Sequence, residues 1–217
     1  MLPVIRTGVF SVNSLVVPIN DDSGESNKCF VVDPAACRLA GDENKLRDYI
    51  IAKELKCEGI VLTHSHFDHI TGIAPLKEVF PEIKIAIHEL EVSELQNPPG
   101  PIGSAVIRTL GAPDLMEEVA KQPPADIALK DGDMIFGWKV IHTPGHTPGS
   151  ICLYNKEQNT LISGDTIFDY GGYGRTDLPG GSQSDMMASL QRLRELIPEG
   201  TKVYPGHDSF DFPYSPE

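Results

Sequence analysis

Three histidines and an aspartate fall within six residues in the run His64-Ser65-His66-Phe67-Asp68-His69. Imidazole and carboxylate together suit borderline metals such as zinc, iron or manganese. His64 and His66 are two apart, so on an extended segment their side chains face the same way. The competing reading, in which the histidines cap a turn, needs no ligand. So dense a mixture of these residue types is rarely a packing device.

One run offers four candidate ligands, and a pair of metal ions needs more. Downstream, His142, His146, Asp165 and His207 each stand at a predicted strand end or beside glycine or proline. His142 and His146 have the i, i+4 spacing of a helical zinc motif. Pro144-Gly145 between them argues against a helix, so the two need not share a metal. Gly164-Asp165 closes a strand with a carboxylate suited to bridging two cations. His207 follows Pro205-Gly206, while His88 lacks such company and reads as a surface or supporting residue.

The elements that must position these groups alternate in type. Val9–Val17 and Phe30–Pro34 read as strands around a polar loop at Asn20–Asn27, and Asp42–Leu55 as a helix with Asp42 at its N-cap. Gly59–Thr63 is a predicted strand that delivers the histidine run at its C-terminal end, where ligands gather in α/β sheets. Leu76–Phe80 predicts a short helix and Ile83–Ile87 a strand. Residues 97–126 are the least regular stretch, proline-rich at both ends with a helix-like piece at Asp114–Lys121. Such an insertion is either a surface excursion or a wall over the site. Further strands are predicted at Trp138–Ile141, Ile151–Tyr154, Thr160–Ser163 and Lys202–Tyr204. Ser184–Ile197 is the strongest helix, with Met187, Leu190, Leu193, Leu196 and Ile197 as its apolar face. Two strand-rich halves with flanking helices imply two sheets packed face to face, in a single domain over residues 1–217.

Composition limits the partners. Acidic residues outnumber basic ones 31 to 18, for a formal charge of −13, and no basic cluster is visible. Nucleic-acid binding draws on Lys and Arg at phosphates, so a nucleic-acid partner is not expected. No apolar run approaches the ~20 residues of a membrane span, and the first residues lack the pattern of a signal peptide. A cytoplasmic protein without a membrane partner is the expectation, with homo-oligomerisation left open. The cysteines at 29, 37, 57 and 152 form no C-x-x-C pair and read as buried thiols.

Four segments resemble the metallo-β-lactamase superfamily in order and spacing. They are Thr63–His69, His142–Ser150, Ser163-Gly164-Asp165 and Pro205-Gly206-His207, and Val31-Val32-Asp33-Pro34 matches that family's early strand. The resemblance covers nearly the whole chain and implies a four-layer αββα sandwich with metals at one edge of the sheets. It implies that His64, His66 and His146 hold a first metal. Asp68, His69 and His207 would hold a second, and Asp165 would bridge both. His142 is then structural. Gly174–Gly181 looks like the glyoxalase II-like branch, which makes Arg175, with Tyr173 beside it, a candidate substrate contact. A structural ion pair between Arg175 and Asp177 is the competing reading. The helical C-terminal domain with which glyoxalase II enzymes hold glutathione is not expected here.

The chemistry implied is hydrolysis of a small-molecule thioester by a metal-bound hydroxide on two divalent ions, zinc first with iron or manganese as alternatives. Asp68 would orient the nucleophile and take up its proton. A thiol with a pKa of ~8.5 leaves without acid assistance, whereas an amine does not. The leading alternative is the persulfide dioxygenases, which share these motifs and use one iron; His64, His146 and Asp165 would be its ligands. A lactonase and a non-catalytic metal-binding module are the remaining readings.

Overall fold

Successive residues of a strand point to opposite faces, and in the central strands both faces are apolar. Leu15 and Val17 join one buried cluster and Val16 another; Phe30 and Val32 divide from Val31 in the same way. Sheets of that kind must be covered on both sides.

The computed structural model, which describes residues 1–20 and 27–216, shows the covering. One sheet holds, in spatial order, β1 (Val4–Thr7), β2 (Val12–Pro18), β3 (Lys28–Val32), β4 (Lys56–Val61), β5 (Lys84–His88) and β6 (Ile127–Leu129). β1 to β3 pair antiparallel, and β3 to β6 pair parallel. The other sheet holds β7 (Met134–Ile135), β8 (Trp138–His142), β9 (Ile151–Asn155), β10 (Thr160–Gly164), β11 (Lys202–Pro205) and β12 (Phe212–Pro213). There only β10 and β11 run parallel; the remaining neighbours are antiparallel.

Between the sheets, Leu15, Phe30, Val32 and Val61 meet Trp138, Val140, Leu153 and Ile162. Trp138 is fully buried and packs edge-on against Phe30, with centroids 6.3 Å apart. On the outer face of the first sheet lie α1 (Lys45–Ala52), α2 (Phe67–Ile70), α3 (Ile73–Val79), α4 (Val92–Gln96), α5 (Pro101–Thr109) and α6 (Asp114–Ala120). The second sheet's outer face is covered by α7 (Gln183–Leu196) through Leu193, with Ile197 just beyond it. The layers are αββα, as expected. Among the described residues no helix is long and apolar enough to cross a membrane.

Several local expectations change. The stretch 97–126, expected to be irregular with one helical piece, carries two helices. Pro101 opens α5 at a position where its missing N–H is harmless. The Glu94 carboxylate accepts hydrogen bonds from the N–H groups of Ile102 and Gly103, both at 3.0 Å to Oε2. The proline cluster therefore marks a helix start rather than a loop. α7 buries Met186, Ser189 and Leu193, and leaves Met187 and Leu196 about two-fifths exposed. Its buried face is rotated because it sits on the Pro144-Gly145 turn: the Ser189 hydroxyl donates to the Pro144 carbonyl at 2.7 Å. Asp42 caps no helix; its carboxylate accepts from the N–H groups of Gly8 and Cys37. The predicted first strand begins later, at Val12, because Ser11 has a left-handed φ of 54°. Short strands β1, β6, β7 and β12 had no expectation attached. Residues 21–26 of the polar loop lie outside the described residues. All four cysteines are buried and free.

Trp138→Ala removes the largest side chain between the sheets, and a cavity of that kind costs ~3–5 kcal/mol. The loss will appear as a lower urea midpoint of metal-free protein, which separates it from any effect of metal on stability.

Candidate metal centre

Strands β3, β4, β8, β10 and β11 all end at one edge of the sandwich, and every candidate ligand lies just beyond such an end. His64 and His66 follow β4 on an extended segment; Asp68 and His69 lie in α2. His146 lies in the loop after β8, Asp165 directly after β10, and His207 two residues after β11.

The structure brings all seven together in two adjoining groups. One ligand atom from each of His64, His66 and His146 lies within 4.8 Å of the others, and the same holds for Asp68, His69 and His207. The rings of His64, His66 and His146 stand nearly perpendicular to one another, with centroids 4.5–4.9 Å apart. Asp165 faces both groups: its Oδ2 is 3.4 Å from His146 Nε2, and its Oδ1 is 3.6 Å from His69 Nε2. His207 Nε2 is 3.3 Å from His69 Nε2 and 3.4 Å from Asp68 Oδ2.

Four of the imidazoles are held from behind through Nδ1, which leaves Nε2 aimed inward. The partners are Thr63 Oγ1 for His64 (3.0 Å), Asp33 Oδ2 for His69 (3.0 Å), the Arg175 carbonyl for His146 (2.7 Å) and the Phe10 carbonyl for His207 (3.2 Å). Such partners set the tautomer and raise the basicity of the inward nitrogen. Asp33 serves two of these histidines. Its carboxylate accepts from Thr63 N at 2.8 Å, from Thr63 Oγ1 at 2.6 Å and from His69. Thr63 Oγ1 in turn accepts from His64, so one buried carboxylate fixes a histidine in each group.

A second buried carboxylate, Glu91, ties the two ligand-bearing loops together. It accepts from Ser65 N at 2.5 Å, from the Thr147 hydroxyl, and from Gly149 N at 3.0 Å. Sequence reasoning gave neither acid a role. Asp33 had a signal, since it stands inside the Val31–Pro34 segment; Glu91, one of three glutamates between residues 89 and 94, had none. Glycine is required twice at the site. A Cβ on Gly174 would lie 1.9 Å from the Asp165 carbonyl oxygen, and one on Gly206 would lie 2.3 Å from Asp165 Oδ1.

The donor set fits metal ions. Nε2 of His64, His66 and His146 and Oδ1 of Asp165 are buried without a hydrogen-bond partner. Polar atoms in that state are costly unless something binds them. Electrostatics separate the two groups. Burial, reinforced by neighbouring imidazoles, holds His64 and His66 well below the usual histidine range. Burial acts the same way on His69, but the charges of Asp165, Asp68 and Asp33 outweigh it and raise His69 to about 10. Burial opposes ionisation of Asp68 too, yet His69 and His207 hold it well below the ordinary carboxylate range.

His142 and His88 lie apart from these groups. Their rings stack at 4.1 Å, and His142 Nε2 pairs with the Pro148 carbonyl. His88 is buried rather than on the surface, and burial, with His142 beside it, lowers it to about 4. A cavity of about 410 Å³ opens onto the centre, lined in part by His66, Asp68, His146, Asp165, His207 and Arg175. The Arg175 guanidinium is engaged by Asp177 through two hydrogen bonds of 2.8 and 2.7 Å, the ion pair that was the competing reading. Tyr173 is not among the lining residues, and its hydroxyl accepts from Gln183. Val106 and Leu110 reach the cavity from α5 and its C-terminal end, so the 97–126 stretch forms a wall of the site.

Comparison with known proteins agrees with this geometry. The family model described as the metallo-beta-lactamase superfamily matches residues 7–207. A Bacillus subtilis (strain 168) protein named probable metallo-hydrolase YqgX is 34% identical over 192 residues, which is 87% of this chain and 82% of that one. The crystal structure of BLEG-1 B3 metallo-beta-lactamase has a TM-score of 0.81 and 30% identity, over 98% of this chain and 94% of that one. The crystal structure of TTHA1623 in a di-iron-bound form has a TM-score of 0.77 and 31% identity, over 97% and 94%.

Asp33→Asn keeps the volume but loses an acceptor for one of three buried donors. Metal affinity should fall ~10–100-fold, as it does when such supporting partners are removed, in a competition against a chromogenic chelator. Proton release offers a second check. A cation held by the Asp68, His69 and His207 group at pH 7.5 would have to displace the His69 proton, whereas His64 and His66 have none to give. Affinity for that second ion should therefore rise with pH up to about 10. Calorimetry in two buffers of different ionisation enthalpy will count the proton.

Proposed function

The chain belongs to the metallo-β-lactamase superfamily, and from that premise we propose that it is a binuclear metal-dependent hydrolase acting on a thioester. The observation that carries this reading is the pair of three-ligand groups sharing Asp165 beneath an open cavity. His64, His66 and His146 would hold one divalent ion and Asp68, His69 and His207 the other, with Asp165 between them and zinc the expected metal. Ions bound there supply a Lewis acid for the carbonyl and a water acidic enough to ionise near neutral pH.

The chain's own residues account for the rest. Asp68 lines the cavity and stays ionised, so it can hold the attacking water by one proton and accept that proton as the bond to carbon forms. His207 and His69 keep that carboxylate oriented. The leaving group decides between substrates. Among the described residues that line the cavity there is no lysine, tyrosine or cysteine, so a departing amine would depend on the proton returned by Asp68. A thiolate needs no such donor, which favours a thioester over an amide.

One observation supports a second reading. The di-iron-bound form of a relative at 31% identity shows that this type of scaffold accepts iron. With a single iron on His64, His146 and Asp165, a persulfide dioxygenase becomes the alternative.

Metal quantification, followed by thioester and persulfide assays on the same preparation, tests both. The expected result is zinc, thioester turnover and no oxygen consumption. Iron with oxygen uptake on a persulfide would instead establish the alternative. His66→Ala should abolish thioester turnover while circular dichroism of the variant stays near that of the parent; unchanged turnover would refute the metal centre as assigned.

A further inference from the structure

Resting on the thioester reading, we infer that the acyl part of the substrate is an apolar chain and that the thiol part is not glutathione, which carries two free carboxylates. The cavity above the centre is walled by Phe10, Phe67, Val106, Leu110, Phe168 and Leu178. They come from five separate places: the β1–β2 turn, α2, α5 with its C-terminal end, the segment after β10, and the Gly174–Gly181 loop. Phe10 and Phe67 pack edge to face at 5.7 Å, so the β1–β2 turn and α2 join in one part of this wall. An apolar lining contributed by so many elements is a built surface for hydrocarbon.

The charges around it point the same way. Arg175 is the one cation lining the cavity among the described residues, and Asp177 already holds its guanidinium with two hydrogen bonds. Asp208 lines the same cavity, and the whole chain carries a formal charge of −13. Away from the metal ions themselves, a thiol carrying free carboxylates would meet Asp208 and no unengaged side-chain guanidinium or ammonium. The α5 wall has its own support, because the Glu94 carboxylate accepts from both Ile102 N and Gly103 N and so fixes where Val106 and Leu110 stand.

The test uses the zinc-loaded full chain and thioesters of N-acetylcysteamine, an uncharged thiol, with acyl chains from acetyl to octanoyl, beside S-lactoylglutathione. We expect kcat/KM to rise by up to ~4-fold per methylene, the equivalent of ~0.8 kcal/mol, and hexanoyl to exceed lactoylglutathione at least tenfold. Leu110→Asn should flatten that rise, with its fold checked by thermal melting. A flat series, or a preference for lactoylglutathione, would overturn this inference while leaving thioester hydrolysis standing. No turnover of any thioester would remove the thioester reading instead. Binding of hexanoate against acetate, followed by calorimetry, then still reads the cavity: tighter hexanoate that weakens in Leu110→Asn supports an apolar pocket, and equal binding overturns it.

Discussion

The carboxylate of Asp33 is the constraint on which the site depends. A buried charge is tolerated only when it is fully hydrogen-bonded, and Asp33 meets that demand with three donors. Two belong to Thr63 and one to His69. Those donors can converge only if β3 and β4 run parallel in the register seen, with Val32 opposite Val61. The same arrangement points the rings of His64 and His69 at the two groups of candidate ligands. Sheet register, helix α2 and ligand geometry are thus one problem with one solution.

The second sheet joins that solution through two links. Ile151 N donates to the Thr63 carbonyl at 2.9 Å, directly across from the first sheet. Glu91, following β5, reaches both the Ser65 backbone and the His146 loop. Neither link involves a ligand side chain, yet both fix the distance between ligands from different sheets. Charge balance supplies the remaining requirement. Asp33, Asp68 and Asp165 crowd around His69, and in the metal-free protein an imidazolium there offsets part of their charge. Divalent ions would offset far more of it, so the arrangement is one that metal completes.

Legibility in the sequence followed density of chemistry. The run His64–His69 announced itself because several ligand types occur within a few residues. His146, Asp165 and His207 drew notice because each stands at a predicted strand end or beside glycine or proline, with the resemblance favouring His146 over His142, and the structure gathers all three at one sheet edge. The sandwich was visible in two strand-rich halves with flanking helices and in the family resemblance. What escaped was set by partners distant in sequence. Asp33 and Glu91 look like ordinary acids until the fold brings Thr63, Ser65 and Thr147 to them. α5 was hidden because its first turn is built from a proline and a glutamate lying outside the helix. The buried face of α7 was set by contact with the Pro144-Gly145 turn, which periodicity cannot register.

The ligand set and the substrate are separate questions with separate physical answers. Ligands at strand ends are dictated by a sheet edge, so many chemistries can share them. Specificity comes from what stands over that edge. Here the wall is a short helix with Val106 fully buried and Leu110 at its open end. The cation beside it is already engaged by Asp177. An engaged arginine offers a carboxylate less than a free one would, because a new anion must compete with one bound at two points. Apolar surface has no such competitor. The apolar surface that α5 presents at this mouth, rather than the histidines, is therefore what carries the inference of a hydrocarbon substrate.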